Sequence, residues 1–198
     1  MTAVALLGTG LLGTAIATRL LEQGLDVHVW NRDPSRLSAL VERGATALEA
    51  PQHAAQNQRT LITVLRDGET TASVIDAVGT LQGSTVIPMG TMGVGESRML
   101  GKQVANQGGH YLEAPVLGSK PQALNGSLLV MAGGEAQVFE THRPLLSHLC
   151  QEPLLVGPVG SGAATKLALN QLIASLTHSF SLSLQLIQRA GVLSLIHI

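Results

Sequence analysis

The sequence predicts an α/β fold: a doubly wound, mostly parallel sheet with helices on both faces, followed by one long helix. Three observations carry this. Apolar runs of strand length alternate with segments of helical spacing from residue 4 to residue 156. The first of those runs breaks into glycines and resumes at once as a helix. From Gly162 onward a single helical pattern continues, with no strand after it.

In chain order, Val4-Ala5-Leu6-Leu7 is a first strand, Gly8-Thr9-Gly10-Leu11-Leu12-Gly13 a turn and helix start, and Gly24 a helix stop. Asp26-Val27-His28-Val29-Trp30 is the second strand. Residues 34–43 read as a helix stopped by Gly44, residues 46–56 as a connection, and residues 60–65 as a strand. A helix over 67–78 closes at Gly79, and a strand over 85–87 ends at Pro88. Residues 96–107 are helical, and residues 110–114 form a strand. Another strand over 127–131 is broken by Gly133-Gly134. A helix over 135–149 and a strand over 153–156 complete the sheet domain. The boundary falls after residue 161, giving a sheet domain over 1–161 and an interdomain helix over 162–198.

With 198 residues and 45% hydrophobic content the chain can bury a core, built from Leu, Val, Ala and Ile because aromatics are only 2%. A net charge of −1 gives no basis for nucleic acid or an anionic membrane surface as partner. The single cysteine, Cys150, excludes an internal disulfide and fits a reducing, cytoplasmic setting. The apolar N-terminus lacks the positive n-region of a signal peptide. Residues 167–188 have the length of a membrane span and no charge, yet Asn170, Gln171, Ser175 and Thr177 make them too polar. A helix buried between protein elements is expected there, with His178 as a hydrogen-bonded core histidine. His28, His53, His110, His142, His148 and His197 show no metal-ligand spacing, so no metal is expected.

Gly8, Gly10 and Gly13 fit a dinucleotide-binding pattern. Gly8 makes the turn, Gly10 lets the backbone approach a pyrophosphate, and Gly13 packs helix against strand. The phosphates would sit on free N–H groups of Leu11 and Leu12 at the helix start. The end of the second strand selects the cofactor. An acid there would bind a ribose 2′-OH, as NAD requires, but the chain has neutral Asn31 followed by Arg32, a planar fork suited to phosphate. NADP(H) is therefore expected, with NAD(H) kept open by Asp33.

Between Pro153 and Gln188 the one formally charged residue is Lys166. Burial would lower its pKa toward a value useful for proton transfer, and Asn170, four residues on, shares its helix face. A lysine that snorkels its head to water from the first turn is the equal alternative on spacing alone.

Four segments, in order, resemble the β-hydroxyacid dehydrogenases, relatives of 6-phosphogluconate dehydrogenase that include 3-hydroxyisobutyrate dehydrogenase and the glyoxylate/succinic semialdehyde reductases. They are Gly8-Thr9-Gly10-Leu11-Leu12-Gly13; residues 86–91, with Thr91 kept; Glu113-Ala114-Pro115-Val116-Leu117-Gly118-Ser119 running on to Gly133-Gly134; and residues 160–170 with Lys166 and Asn170. The resemblance implies a Rossmann-type domain contacting the cofactor through these glycines, Thr9, Asn31, Arg32, Val64, Leu65 and Thr91. It implies Lys166 as general acid in hydride transfer to a small aldehyde or keto acid, with Asn170 holding substrate and supporting the lysine. Leu117 and the backbone N–H groups of Gly118 and Ser119 would lie at the substrate carboxylate.

The chain departs from the family pattern at Leu117, where many members have Ser, at Arg66, where proline is usual, and at Pro88 and Gly90. Arg66 is expected to face water. The resemblance also implies a helical dimerisation domain beyond this chain, so truncation is expected, with a homo-oligomer at full length. The tail over 193–198 lacks family character. Two alternatives stand: an imine reductase, which usually lacks the lysine, and a nucleotide-binding module without catalysis.

Overall fold

The computed structural model describes residues 3–56 and 59–192, so the tail over 193–198, with His197, lies outside the described residues. The chain forms β1 (Ala3–Leu7), α1 (Leu11–Glu22), β2 (Asp26–Trp30), α2 (Ser38–Val41), β3 (Thr46–Ala47), β4 (Thr60–Thr63) and α3 (Gly68–Val78). There follow β5 (Thr85–Pro88), α4 (Val94–Asn106), β6 (His110–Glu113), β7 (Val116–Leu117) and α5 (Lys120–Asn125). The last elements are β8 (Leu129–Gly134), α6 (Ala136–Leu146), β9 (Leu154–Gly157) and α7 (Ser161–Arg189).

The sheet runs β3-β2-β1-β4-β5-β6-β8-β7, with β9 also on β8. Strands β3 to β6 along this path are parallel to one another; β8 is antiparallel to β6 and β7, and β9 is parallel to β8. The fold is thus the mostly parallel, doubly wound Rossmann-type sheet that the alternation predicts, with a long C-terminal helix. The order reverses at β1, between β2 and β4, which opens a crevice outside the carboxyl ends of these strands.

Period-two alternation explains the two cores. Val4 and Leu6 of β1 face one side with Ile16, Leu20 and Phe139, whereas Ala5 and Leu7 face the other with Leu61, Ile75 and Leu100. Aliphatic chains fill both sides, and Phe139 is the largest fully buried side chain.

Four expectations are corrected. The connection over 46–56 contains β3 and a 3₁₀ turn, Pro51–Ala55. Two elements, β7 and α5, were not foreseen, because a two-residue strand and a six-residue helix are too short to show a period. β8 continues through Gly133-Gly134 instead of breaking there. A Cβ on Gly133 would lie 2.2 Å from the Glu113 carboxylate, so this glycine admits a neighbour rather than stopping a strand.

The fourth correction concerns the long helix. The chain divides into two compact units, Met1–Lys166 and Leu167–Ile198. Within the second, Leu172, Ile173, Leu176, Phe180 and Leu186 are exposed, and so is His178. The expected burial of this helix, and of His178 in a core, is not found among the described residues. Its hydroxyls fold back on the helix, Thr177 Oγ1 donating to Ile173 O at 2.8 Å and Ser181 Oγ to Thr177 O at 2.9 Å. No described helix is long and apolar enough to cross a membrane, and no described cluster of His, Cys, Asp and Glu could hold a metal ion.

Candidate functional site

The crevice at the carboxyl ends of β1, β2, β4 and β5 is a cleft of about 1050 Å³. It brings together Gly8, Gly10, Leu11, Leu12, Gly13, Asn31, Arg32, Val64, Leu65, Thr91, Gly118 and Lys166 from the sequence-derived set. Thr9, Leu117, Ser119 and Asn170 do not line it.

The glycine turn divides its labour visibly. Gly8 has φ +105°, and a Cβ there would sit 2.4 Å from Val64 O. A Cβ on Gly13 would sit 1.9 Å from Gly8 O, so this glycine lets α1 close onto the turn. Gly10 differs: its φ of −71° suits any residue, and a Cβ would meet no protein atom within 4 Å. Its side of the turn faces open cleft. No side chain caps α1, so its first N–H groups point outward as an anion site. A pyrophosphate fits this cradle because it needs both the bare backbone and the free donors.

At the end of β2, Asn31 Nδ2 donates to Thr9 Oγ1 at 2.9 Å, and Asn31 Oδ1 accepts from Asp33 N at 2.9 Å. Thr9 is therefore a buried support for the turn and not a lining residue. Asp33 Oδ1 accepts from Ser35 N at 3.1 Å and Ser35 Oγ at 2.7 Å, and these bonds hold its carboxyl below the usual range. The acid that kept NAD(H) open is thus engaged as the cap of the following 3₁₀ turn. Arg32 and Arg36 both line the cleft, and Arg36 Nε lies 3.5 Å from Asp33 Oδ2. Arg36 escaped the sequence reading, since only its position on the 3₁₀ turn after Pro34 brings it to the cleft.

Arg66 lines the cleft while its side chain is largely exposed and paired to Asp67, Nε to Oδ2 at 2.6 Å. Thr91 is exposed on the loop after β5. Leu117 pairs with Leu129 between β7 and β8. Gly118 lines the cleft at φ +130°. Ser119 caps α5, and its N–H and hydroxyl both donate to Gln122 Oε1, at 3.0 and 2.7 Å, so the N–H expected at a substrate carboxylate already has a partner.

Lys166 is half-buried at the cleft, and burial pushes its ammonium below the ordinary lysine range. Asn170 is exposed on α7 in the second unit. The sequence reading missed the structural role of Glu113, which is buried and accepts from Gly160 N and Gly162 N, each at 2.7 Å, at the start of α7. A charged residue inside an apolar strand was the available signal.

Residues 3–157 match the family of the NAD binding domain of 6-phosphogluconate dehydrogenase. The chain belongs to that family. It is 34% identical over 196 residues to glyoxylate/succinic semialdehyde reductase 1 of Arabidopsis thaliana, covering 96% of this chain and 68% of the relative. Its fold superposes on 3-hydroxyisobutyrate dehydrogenase of Mycobacterium tuberculosis with a TM-score of 0.92 at 24% identity, covering 98% of this chain and 67% of that one. An imine reductase from a Pseudomonas species gives 0.89 at 25% identity, covering 96% and 67%. This member of the 6-phosphogluconate dehydrogenase NAD-binding family thus spans about two thirds of the length of these relatives. These relatives are oxidoreductases, and the glycine turn, the free helix start and the cleft are what a nicotinamide dinucleotide requires.

Proposed function

We propose that the chain is the cofactor-binding part of an NADPH-dependent reductase of small carboxylate-bearing aldehydes or keto acids, such as glyoxylate or succinic semialdehyde. The observation that carries it is Lys166, a half-buried ammonium in the same cleft as the glycine turn. Identity to a glyoxylate/succinic semialdehyde reductase supports the substrate class.

The nicotinamide, when bound, supplies the hydride. The chain's own residues do the rest. Gly10 and the start of α1 receive the pyrophosphate, and Arg32, with Arg36 also lining the cleft, receives the 2′-phosphate. The engagement of Asp33 with Ser35 favours NADP(H) over NAD(H). Lys166 Nζ gives a proton to the carbonyl oxygen as it gains charge, and a lowered pKa makes that transfer easier near neutral pH. Gly118, which lines the cleft, offers its backbone N–H to the substrate carboxylate. The role of Asn170 in holding substrate rests on the family resemblance and its spacing from Lys166. The likeness to an imine reductase supports cyclic imines as a second substrate class, against which Lys166 stands.

The test has two steps. Fluorescence titration should show saturable binding with NADPH preferred over NADH by about tenfold or more, as a bidentate arginine contact implies. In a version extended to the relatives' length, Lys166→Ala should lower aldehyde-acid reduction by about 10²- to 10⁴-fold with NADPH affinity unchanged. No binding of either dinucleotide refutes the cofactor reading. Unchanged turnover refutes the lysine, and faster reduction of cyclic imines than of aldehyde acids refutes the substrate class.

A further inference from the structure

Glu113 is 2% exposed, and no salt bridge pairs it among the described residues. A carboxylate in that position is costly unless hydrogen bonds replace its water. Here they do so from two directions. Oε1 accepts from Gly160 N and Gly162 N at 2.7 Å, with Ala163 N at 3.4 Å, and Oε2 accepts from Ser97 Oγ. Ser97 Oγ in turn lies 2.8 Å from the Tyr111 hydroxyl. Burial, and then the nearby Glu113, push that phenol upward, so Tyr111 stays protonated and able to donate.

The carboxylate thus bridges two parts of the fold. Its backbone is β6, its Oε2 is tied to α4 through Ser97, and its Oε1 holds the first turn of α7. Two glycines are required for this. A Cβ on Gly133 would lie 2.2 Å from Oε1, and one on Gly162 would lie 2.5 Å from Met131 O and 3.1 Å from Oε1. Lys166 follows Gly162 by one helical turn, so whatever fixes Gly162 fixes the direction of Lys166. A slip of one residue would turn the side chain by about 100° and move it about 1.5 Å along the axis.

We propose that Glu113 is the positioning residue for Lys166, its buried carboxylate setting the height and rotation of the helix turn that carries the lysine to the cleft. This rests on the reading of Lys166 as proton donor. The placement itself is tested without turnover, so the two can fail separately.

The chain's lysines are Lys102, Lys120 and Lys166, which makes site-resolved acylation followed by mass spectrometry tractable. In the unaltered chain, the pH midpoint for labelling Lys166 should lie below 10.5, the ordinary lysine value. Glu113→Ala should raise the Lys166 midpoint toward that ordinary value, a labelling-rate change of about threefold to tenfold at fixed pH. Glu113→Gln keeps an oxygen acceptor for Gly160 and Gly162 and should retain the unaltered profile. If the alanine variant does not fold, Glu113→Asp, which draws the carboxylate back by one methylene, gives the same reading. A Lys166 midpoint unchanged in a folded Ala or Asp variant overturns the proposal. A midpoint that moves equally in the Gln variant also overturns it, because charge and not placement would then be at work.

Discussion

The Asn31 amide binds the Thr9 hydroxyl at 2.9 Å, and this bond joins the end of β2 to the glycine turn after β1. Its other end is held by Asp33 N, so the amide cannot rotate without losing a partner. Asn31→Asp would keep the shape, since the Thr9 hydroxyl can turn to donate, while placing a carboxylate where a ribose 2′ group would lie. NADPH affinity should fall by about tenfold or more through repulsion of the 2′-phosphate, with NADH affinity held or improved. Paired fluorescence titrations read both. An unchanged ratio would remove the end of β2 from the 2′ site.

Gly10 and Gly13 should separate binding from folding. Gly13→Ala forces a Cβ to within 1.9 Å of Gly8 O, and the turn must open to admit it. Overpacking of this kind costs about 1–3 kcal/mol, or a Tm drop of about 2–4 °C per kcal/mol for a domain of this size. Gly10→Ala meets no protein atom and has an ordinary φ. Its Tm should stay near that of the parent while dinucleotide affinity falls, because the added methyl occupies the cradle. Calorimetry and titration on both variants check this, and intact binding in Gly10→Ala would show that no ligand approaches there.

Much of this was legible in the sequence, and for physical reasons. Strands β1 and β2 and the turn between β1 and α1 carry local signals: apolar runs of the right length, then glycines at a spacing that fits a dinucleotide-binding turn and gains its weight from the strand before and the helix after. Lys166 stood out because charge is scarce around it. What escaped depends on distant partners. Gly133 reads as a strand break until the Glu113 side chain is placed against it. Ser119 reads as a free backbone donor until Gln122 folds back to cap it. The burial expected for residues 167–188 followed from their apolar stripe, which records what the helix could pack against and not what this unit provides.

Asp67 caps α3, its Oδ1 accepting from Thr70 N at 2.8 Å. The bonds from Thr70, and then the Arg66 guanidinium, pull its carboxyl from 3.8 down to about 2. A folded-state pKa below the unfolded one contributes stability that is present above the unfolded value and lost as pH falls through the folded one. The Tm difference between the parent and Asp67→Ala should therefore be full above about pH 4 and shrink toward pH 2. Asp67→Asn, still able to cap, should show a smaller loss above about pH 4, and that loss should shrink over the same pH range because Asn also lacks the titrating carboxyl. Thermal melts across this range decide it, and a difference that grows on acidification would contradict the cap.

For Lys166 the sign runs the other way. An acid must hold its proton to act, so reduction should be fast below the folded-state pKa of Lys166 and decline as pH rises through it. Burial lowers that pKa, which places the alkaline limb below 10.5, the ordinary lysine value. Lys166→Arg keeps a cation whose pKa exceeds about 12, so the limb should vanish from the accessible range while a planar fork in place of a point charge slows the reaction. Lys166→Ala should remove the limb and most of the rate together. A kcat–pH profile on versions extended to the relatives' length distinguishes the three. If the alkaline limb survives unchanged in Lys166→Ala, another group donates the proton, and the lysine holds substrate by charge alone.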